Sequence, residues 1–202
     1  MVFRVYVSKK AEFANEERSM LNDIRKNLGI VNLEDIKIYN RYDVEGIDEE
    51  TFQKTIKSVF SEPQVDDVCF EVNDEGIIFG IEFLPGQFDQ RADSAQQCIQ
   101  FVTGGVRPTC RCAKVIVLKG GLEEKEVARI KAHIINPVEM REASLEKFET
   151  LENVQPVPEK TPYIEGFINM TEDKFAAFIK EYGLAMDTDD VAFCQNYFKN
   201  EE

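Results

Sequence analysis

The sequence predicts an α+β fold in which two β-α-β-α-β units form a pseudo-two-fold sheet-and-helix domain, followed by an acidic helical linker segment. Three observations predict it. β-Branched and aromatic runs alternate with stretches of helical apolar spacing in the order strand, helix, strand, helix, strand. The same order recurs after about 75 residues. From Ser144 onward the composition changes, with thirteen acids against five lysines.

The first strand is FRVYVSKK, Phe3 to Lys10. In ANEERSMLNDIRKNLG, Leu21, Ile24 and Leu28 form a helical stripe, Glu16 and Glu17 suit the first turn, and Gly29 is the stop. Ile36, Ile38, Asn40, Tyr42 and Val44 alternate along a long strand and share one face. Asp48 caps a second helix with inner residues Phe52, Ile56, Val59 and Phe60, which ends before Pro63 and leads to the strand DVCFEV. From Gly76 the order repeats: strand IIFGIEFL, helix Phe88 to Val102, strand AKVIVL, helix LEEKEVARIKAHII and a short strand around VEMRE. The inner stripe of the third helix is Phe88, Ala92, Ala95, Ile99 and Val102.

Matching the two passes pairs Val5 with Phe79, Ile38 with Val115 and Ile56 with Ile130, so the repeat is architectural rather than one of side-chain identity. A unit with helices on one side leaves its sheet half covered. Two units bury more apolar surface by joining about an approximate two-fold axis. The expectation is a duplicated domain over residues 1–145, with units of about 1–74 and 75–145, followed by a linker and helical segment over 146–202. The run ENVQPVPEKTP, Glu152 to Pro162, carries three prolines and reads as extended linker. Beyond it Thr171 caps a helix with inner residues Phe175, Phe178, Ile179 and Tyr182, ended by Gly183; Asp187 opens another with Val191, Cys194 and Phe198.

A net charge of -14 repels phosphate backbones and anionic lipid, so neither nucleic acid nor membrane is an expected partner. Met1 runs straight into FRVYV without a basic start or long apolar run, which points to the cytoplasm. The five cysteines, Cys69, Cys98, Cys110, Cys112 and Cys194, are scattered and odd in number, and read as thiols.

The candidates for chemistry each have a plainer explanation. Cys110 and Cys112 share a strand face, yet His133 is the single histidine and no second cysteine pair has zinc spacing; they read as core thiols. His133 lies near Ile130 and Ile134 with no nucleophile partner in view. Gly104-Gly105 and Gly120-Gly121 lack the Gly-Lys-Ser/Thr ending of a phosphate loop. DTDD, Asp187 to Asp190, lacks the glycine and glutamate of a calcium loop and reads as a helix cap. No catalytic, cofactor-binding or metal-ligating residue is therefore assigned.

One stretch stands apart. LPGQFDQRADSAQQCIQ, Leu84 to Gln100, lies in a region where five of the thirty-three residues from Ile77 to Thr109 are charged. Its polar face carries Asp89, Asp93, Gln96, Gln97 and Gln100. Amides tolerate desolvation when hydrogen-bonded, so this face reads as a covered polar surface, an interface.

That phrase, with NRYDVEGI (Asn40 to Ile47), VFSEP (Val59 to Pro63) and INPVEMREA (Ile135 to Ala143), resembles the N-terminal region of large-form phosphoribosylformylglycinamidine synthase. GLAMDTDDVAFCQNYF resembles the start of the linker domain that follows it, so the likeness covers nearly the whole chain. The resemblance implies a carbon–nitrogen ligase of purine biosynthesis that takes ammonia from glutamine and uses ATP and magnesium in its full-length form. It implies an N-terminal region built like a fused pair of the small subunits of the multi-subunit form. It also implies that the family's catalytic histidine motif, ATP-binding core and cysteine glutaminase lie downstream of this region. No catalytic residue then carries over, no cofactor belongs to this chain, and the 202 residues alone are inactive. Gln87, Asp89, Gln90, Arg91 and Asp93 become ordered polar contacts, either within the fused pair or with the synthase and glutaminase domains. A free-standing accessory or scaffold protein that binds separate catalytic subunits is the second reading.

Overall fold

Six strands, every neighbouring pair antiparallel, form one sheet in the order β3-β1-β2-β5-β4-β6. They are β1 Val2–Lys9, β2 Leu33–Glu45, β3 Asp66–Cys69, β4 Ile77–Phe83, β5 Thr109–Gly120 and β6 Met140–Ala143. The computed structural model describes residues 1–105, 107–152, 160–161 and 163–200. The helices are α1 Asn15–Asp23, α2 Glu49–Thr55, α3 Gln90–Thr103, α4 Glu124–Ile134, α5 Phe175–Tyr182 and α6 Thr188–Asn200. The chain divides into two compact units, Met1–Asn153 and Val154–Glu202.

The strand register fixes the symmetry of the first unit. Phe3 faces Val44, and Ile77 faces Leu118; both members of the pair differ by 74 (77 − 3 and 118 − 44). The same shift of 74 carries Tyr6–Cys69 onto Gly80–Ala143. It also carries Asn40 onto Lys114, the residue that faces it across β2 and β5, so the pseudo-two-fold axis passes through that pair. The expected matches Val5 with Phe79 and Ile56 with Ile130 obey this shift. Ile38 with Val115 does not: its counterpart is Cys112, because strand side chains alternate and Val115 lies on the opposite sheet face.

Helices α1–α4 all cover one face and are exchanged between the repeats. In one core, Phe52 of α2 and Ala92, Ala95 and Ile99 of α3 pack on Val5, Val7, Tyr42, Val44, Cys110 and Cys112. In the other, Ile24, in the π-helical turn Ile24–Leu28 that extends α1, and Ile130 of α4 pack on Ile36, Ile38, Phe79, Ile81, Ile116 and Leu118. The first helix of each repeat thus packs beside the second helix of the other. Local signals behave as expected where they are local: Asp48 accepts from Thr51 N at 2.8 Å, and Gly29 takes the left-handed conformation that ends α1. Gly76 and Gly120 are required by close approach, since a Cβ would collide with the Leu118 and Asn32 carbonyl oxygens.

Two expectations for α3 need correction. Phe88 is 69% exposed and Val102 56% exposed. The helix starts at Gln90, with Asp89 as its cap, so Phe88 precedes the helical periodicity; Val102 sits in the final turn, past the last buried position at Ile99.

On the other face, two connections take the place of helices. After β3, Val72 packs against Tyr6, Tyr39, Val115 and Val117, while Asp74 accepts from the Tyr39 hydroxyl and from Lys119 at 3.0 Å. After β6, residues 144–151 are fastened by arginines: Arg41 donates to Ser144 O (2.6 Å), Arg4 to Leu145 O and Glu146 O (2.8 and 2.9 Å), and Arg111 to Leu151 O (3.0 Å). Phe148 lies 5.5–5.6 Å from the three guanidinium carbons. Glu45 accepts from Leu151 N at 2.7 Å. Of these, residues 146–151, expected to belong to the linker segment, are part of the first unit's sheet cover. Of the expected linker, residues 153–159 and Pro162 lie outside the described residues.

The second unit packs Phe175, Phe178 and Val191 with Phe167 at its centre. The Gln195 amide donates to Phe167 O and Met170 O at 2.9 and 2.7 Å. Asp187 caps α6 by accepting from Asp189 N and Asp190 N, and Gly183 ends α5 in the left-handed conformation. Thr171 is not a side-chain cap: it precedes a 3-10 turn, Glu172–Lys174, that leads into α5.

Ile99 is wholly buried in the α2–α3 core. Ile99→Ala is expected to cost about 2–5 kcal/mol in chemical denaturation, whereas Phe88→Ala should stay within about 0.5 kcal/mol of wild type. Equal effects would contradict the assignment of inner and outer positions on this segment.

Candidate functional site

The loop before α3 is held by backbone bonds. Leu84 N donates to Glu139 O at 2.9 Å and Gln87 N to Leu84 O at 3.0 Å, with Gly86 at φ 93 between them. Asp89 accepts from Arg91 N and Ala92 N, both at 3.0 Å. Arg91 Nη1 donates to the Tyr42 hydroxyl at 3.1 Å, a bond from the second repeat to the first. Asp93 pairs with Arg107 and accepts from Gln97 at 2.6 Å. Gln96 donates to Cys110 O at 3.3 Å and accepts from Arg107 at 3.0 Å.

Much of the quiet polar face of α3 is therefore satisfied inside its own unit. Asp89, Arg91 and Asp93 make ordered contacts there. Gln87 and Gln90 are exposed and hold no side-chain hydrogen bond among the described residues. They flank exposed Phe88.

Between the two helix pairs, over the pseudo-two-fold axis, lies a groove of about 830 Å³. Met20, Val59, Ile81, Phe83, Cys98 and Ile134 contribute its walls; Asn40, Tyr42, Arg91 and Lys114 contribute polar groups. A smaller cavity of about 240 Å³ shares Asn40, Tyr42 and Arg91 with the groove and adds Glu16, Glu17, Lys9 and Asp66. Lys114 pairs with Glu16, and Lys9 lies 2.7 Å from Asp66. Among the described residues, Glu17 Oε2 and Asn40 Oδ1 are buried without a hydrogen-bond partner.

Glu17 lies in the first turn of α1, as its sequence position suggests, and is only 7% exposed. Burial pushes its carboxyl above the ordinary glutamate value, against the backbone amides of Glu17 and Ile38, which favour the ionised form; the Glu16 charge adds to the rise. Tyr42 also shifts upward through burial, opposed by Arg91. Of the groove residues, Glu17 and Lys114 carry no sequence motif, and the phrase NRYDVEGI that contains Asn40 and Tyr42 gives neither a role. Asn40, a polar residue among Ile38, Tyr42 and Val44 on an otherwise apolar strand face, is the one signal that could have located it.

All five cysteines are free. Burial pushes Cys110 up to about 12 and Cys112 well above the ordinary thiol value. His133 Nε2 lies 2.6 Å from Asp23 Oδ2, joining α4 to α1. Among the described residues, no group of three or more His, Cys, Asp and Glu is placed to hold a metal ion. Among them, too, no helix is long and apolar enough to cross a membrane.

Fold and site together define a duplicated α+β domain with a groove at the seam of its repeats. No protein-family model matches the chain, and no curated protein matches it.

Two measurements check this description. At pH 8 a maleimide should label exposed Cys98 well before buried Cys110 and Cys112, which should react only on unfolding, as read by peptide mass spectrometry. Prompt labelling of the CRC pair would contradict its burial. For Glu17 the folded pKa is raised, so its protonated form favours folding below the ordinary glutamate value and that contribution is lost as pH rises through the raised value. Glu17→Gln should therefore gain melting temperature relative to wild type at pH 7, with the gain vanishing near pH 4.

Proposed function

We propose that the chain is the noncatalytic N-terminal segment of a phosphoribosylformylglycinamidine synthase, an ATP- and glutamine-dependent ligase of purine biosynthesis that works in the cytoplasm. Its role is to organise the synthase and glutaminase domains and to assist ammonia transfer between them. The observation that carries this reading is the single sheet built from two repeats related by one 74-residue shift, the arrangement expected of a fused pair of small subunits. The motif phrases at Leu84–Gln100, Asn40–Ile47 and Ile135–Ala143 supply the family. Gln87, Phe88 and Gln90, outward-facing at the start of α3, are the residues assigned to the interdomain contact.

A free-standing accessory protein would share this fold and would act on separate catalytic subunits. One experiment distinguishes a positioning role from general damage. In the intact synthase, Phe88→Ser combined with Gln90→Ala should lower glutamine-dependent synthesis at least about threefold more than synthesis driven by added ammonia, because only the former needs two aligned active sites. Equal losses, or none, would overturn the assignment of this surface. Turnover of formylglycinamide ribonucleotide by residues 1–202 alone would overturn the noncatalytic reading itself.

A further inference from the structure

We infer that the seam between the two repeats is a binding site for a small primary alkylammonium ligand, its head against Glu17 and Asn40 and its tail along the apolar groove. The inference goes beyond the role proposed above and does not depend on it.

The starting point is a mismatch of hydrogen-bonding groups. Glu17 Oε2 and Asn40 Oδ1 both belong to residues lining the 240 Å³ cavity, and both are buried acceptors without a donor among the described residues. A buried acceptor left unpaired costs free energy comparable to a lost hydrogen bond. The cations nearby are engaged elsewhere: Lys9 on Asp66, Lys114 on Glu16 and Arg91 on the Tyr42 hydroxyl. A primary ammonium offers three N–H donors and no acceptor, the complement of these two oxygens. An anion would instead meet the Glu17 carboxylate. The chain's net charge of -14 adds a long-range attraction for cations.

The second feature is the route and the tail. Asn40, Tyr42 and Arg91 line both cavities, so the smaller one adjoins the 830 Å³ groove. That volume falls within the range of small-molecule sites, roughly 300–1,000 Å³. Its walls at Met20, Val59, Ile81 and Ile134 are apolar and suit an aliphatic chain. A polar end with one charge requirement and an apolar slot beside it specify an amphipathic amine.

The test is isothermal titration calorimetry of the full chain at pH 7 with hexylamine, and with 1-hexanol and hexanoate as probes of equal tail length. Saturable one-to-one binding of hexylamine is expected, with the alcohol and the carboxylate at least about tenfold weaker. Glu17→Gln should weaken hexylamine at least about tenfold while the protein stays folded. Cys98→Trp, at an exposed groove position, should also weaken it by filling the slot. Amide chemical shifts should move at Glu16–Met20 and Ile38–Tyr42. Absence of saturable binding would overturn the inference and leave bound water as the donor. Hexanol binding as well as hexylamine would reduce the seam to an apolar slot. Unchanged affinity in Glu17→Gln, or shifts confined to the outer surface, would reduce the binding to diffuse charge attraction; each of these outcomes rejects the site.

Discussion

The antiparallel pairing of β2 with β5 is the constraint on which the rest of the first unit depends. Each strand is the longest of its repeat, 13 and 12 residues, and their ladder runs from Leu33–Gly120 to Glu45–Thr109. Pairing along so much backbone joins two half-covered sheets into one and leaves neither central strand as an edge. It also fixes the helices. With the axis through Asn40 and Lys114, one helix pair falls on each side, and each pair draws one member from each repeat. Neither repeat could close its own core alone. The seam follows from the same geometry, because the helix pairs part directly over the axis, where a polar pair replaces the apolar alternation.

The opposite face shows what a sheet does when none of the described helices of its own unit covers it. Arg41 and Asp43 are completely buried, with Arg4 nearly so. Arg4 Nε donates to Asp43 Oδ1 at 2.5 Å; Arg41 Nε stands 2.9 Å from Asp43 Oδ2, close enough for ion pairing but out of hydrogen-bond alignment. The two guanidiniums differ accordingly. Burial acts downward on both, but Arg4, held by the aligned Asp43 bond, is shifted up, while Arg41, more deeply buried and beside Arg4, is shifted down. Such a group adds little net stability, since desolvation opposes the charge attraction. Its contribution is directional. The guanidinium donors select the carbonyls of Ser144, Leu145 and Glu146, and so lead the chain after β6 across the sheet along one path.

The parts of this architecture legible in the sequence are those with a local cause. The stripe at Ile36, Ile38, Tyr42 and Val44, the caps at Asp48 and Asp187, and the glycine stops at Gly29 and Gly183 each act within a few residues of themselves. The helix exchange was not legible, because the apolar stripe of α2 is equally consistent with packing beside α1 or α3. Residues 146–151 read as linker, because arginine-to-carbonyl bonds place no pattern on the segment that accepts them. The burial of Glu17 was not legible for a related reason: an acid in a first turn is ordinary by sequence, and only the fold presses this one against β2. At the candidate site the cap at Asp89 was missed because the helix was read from Phe88, and the Arg91–Tyr42 bond spans 49 positions and required the fold.

The low charge of α3 then has a physical account with two parts. Its inner side meets Tyr42, Cys110 and the α2 core, where Arg91 and Gln96 serve because each can satisfy a fixed partner at partial burial. Lysine or glutamate in place of Gln96 could not both donate to Cys110 O and accept from Arg107. Its N-terminal end is different: Gln87 and Gln90 are exposed with no partner of their own among the described residues, beside a phenylalanine left in water. Intramolecular satisfaction explains the first group and leaves the second unexplained by the fold. That patch of unexplained surface, rather than the low charge of the whole helix, is the observation on which the proposed interdomain contact rests.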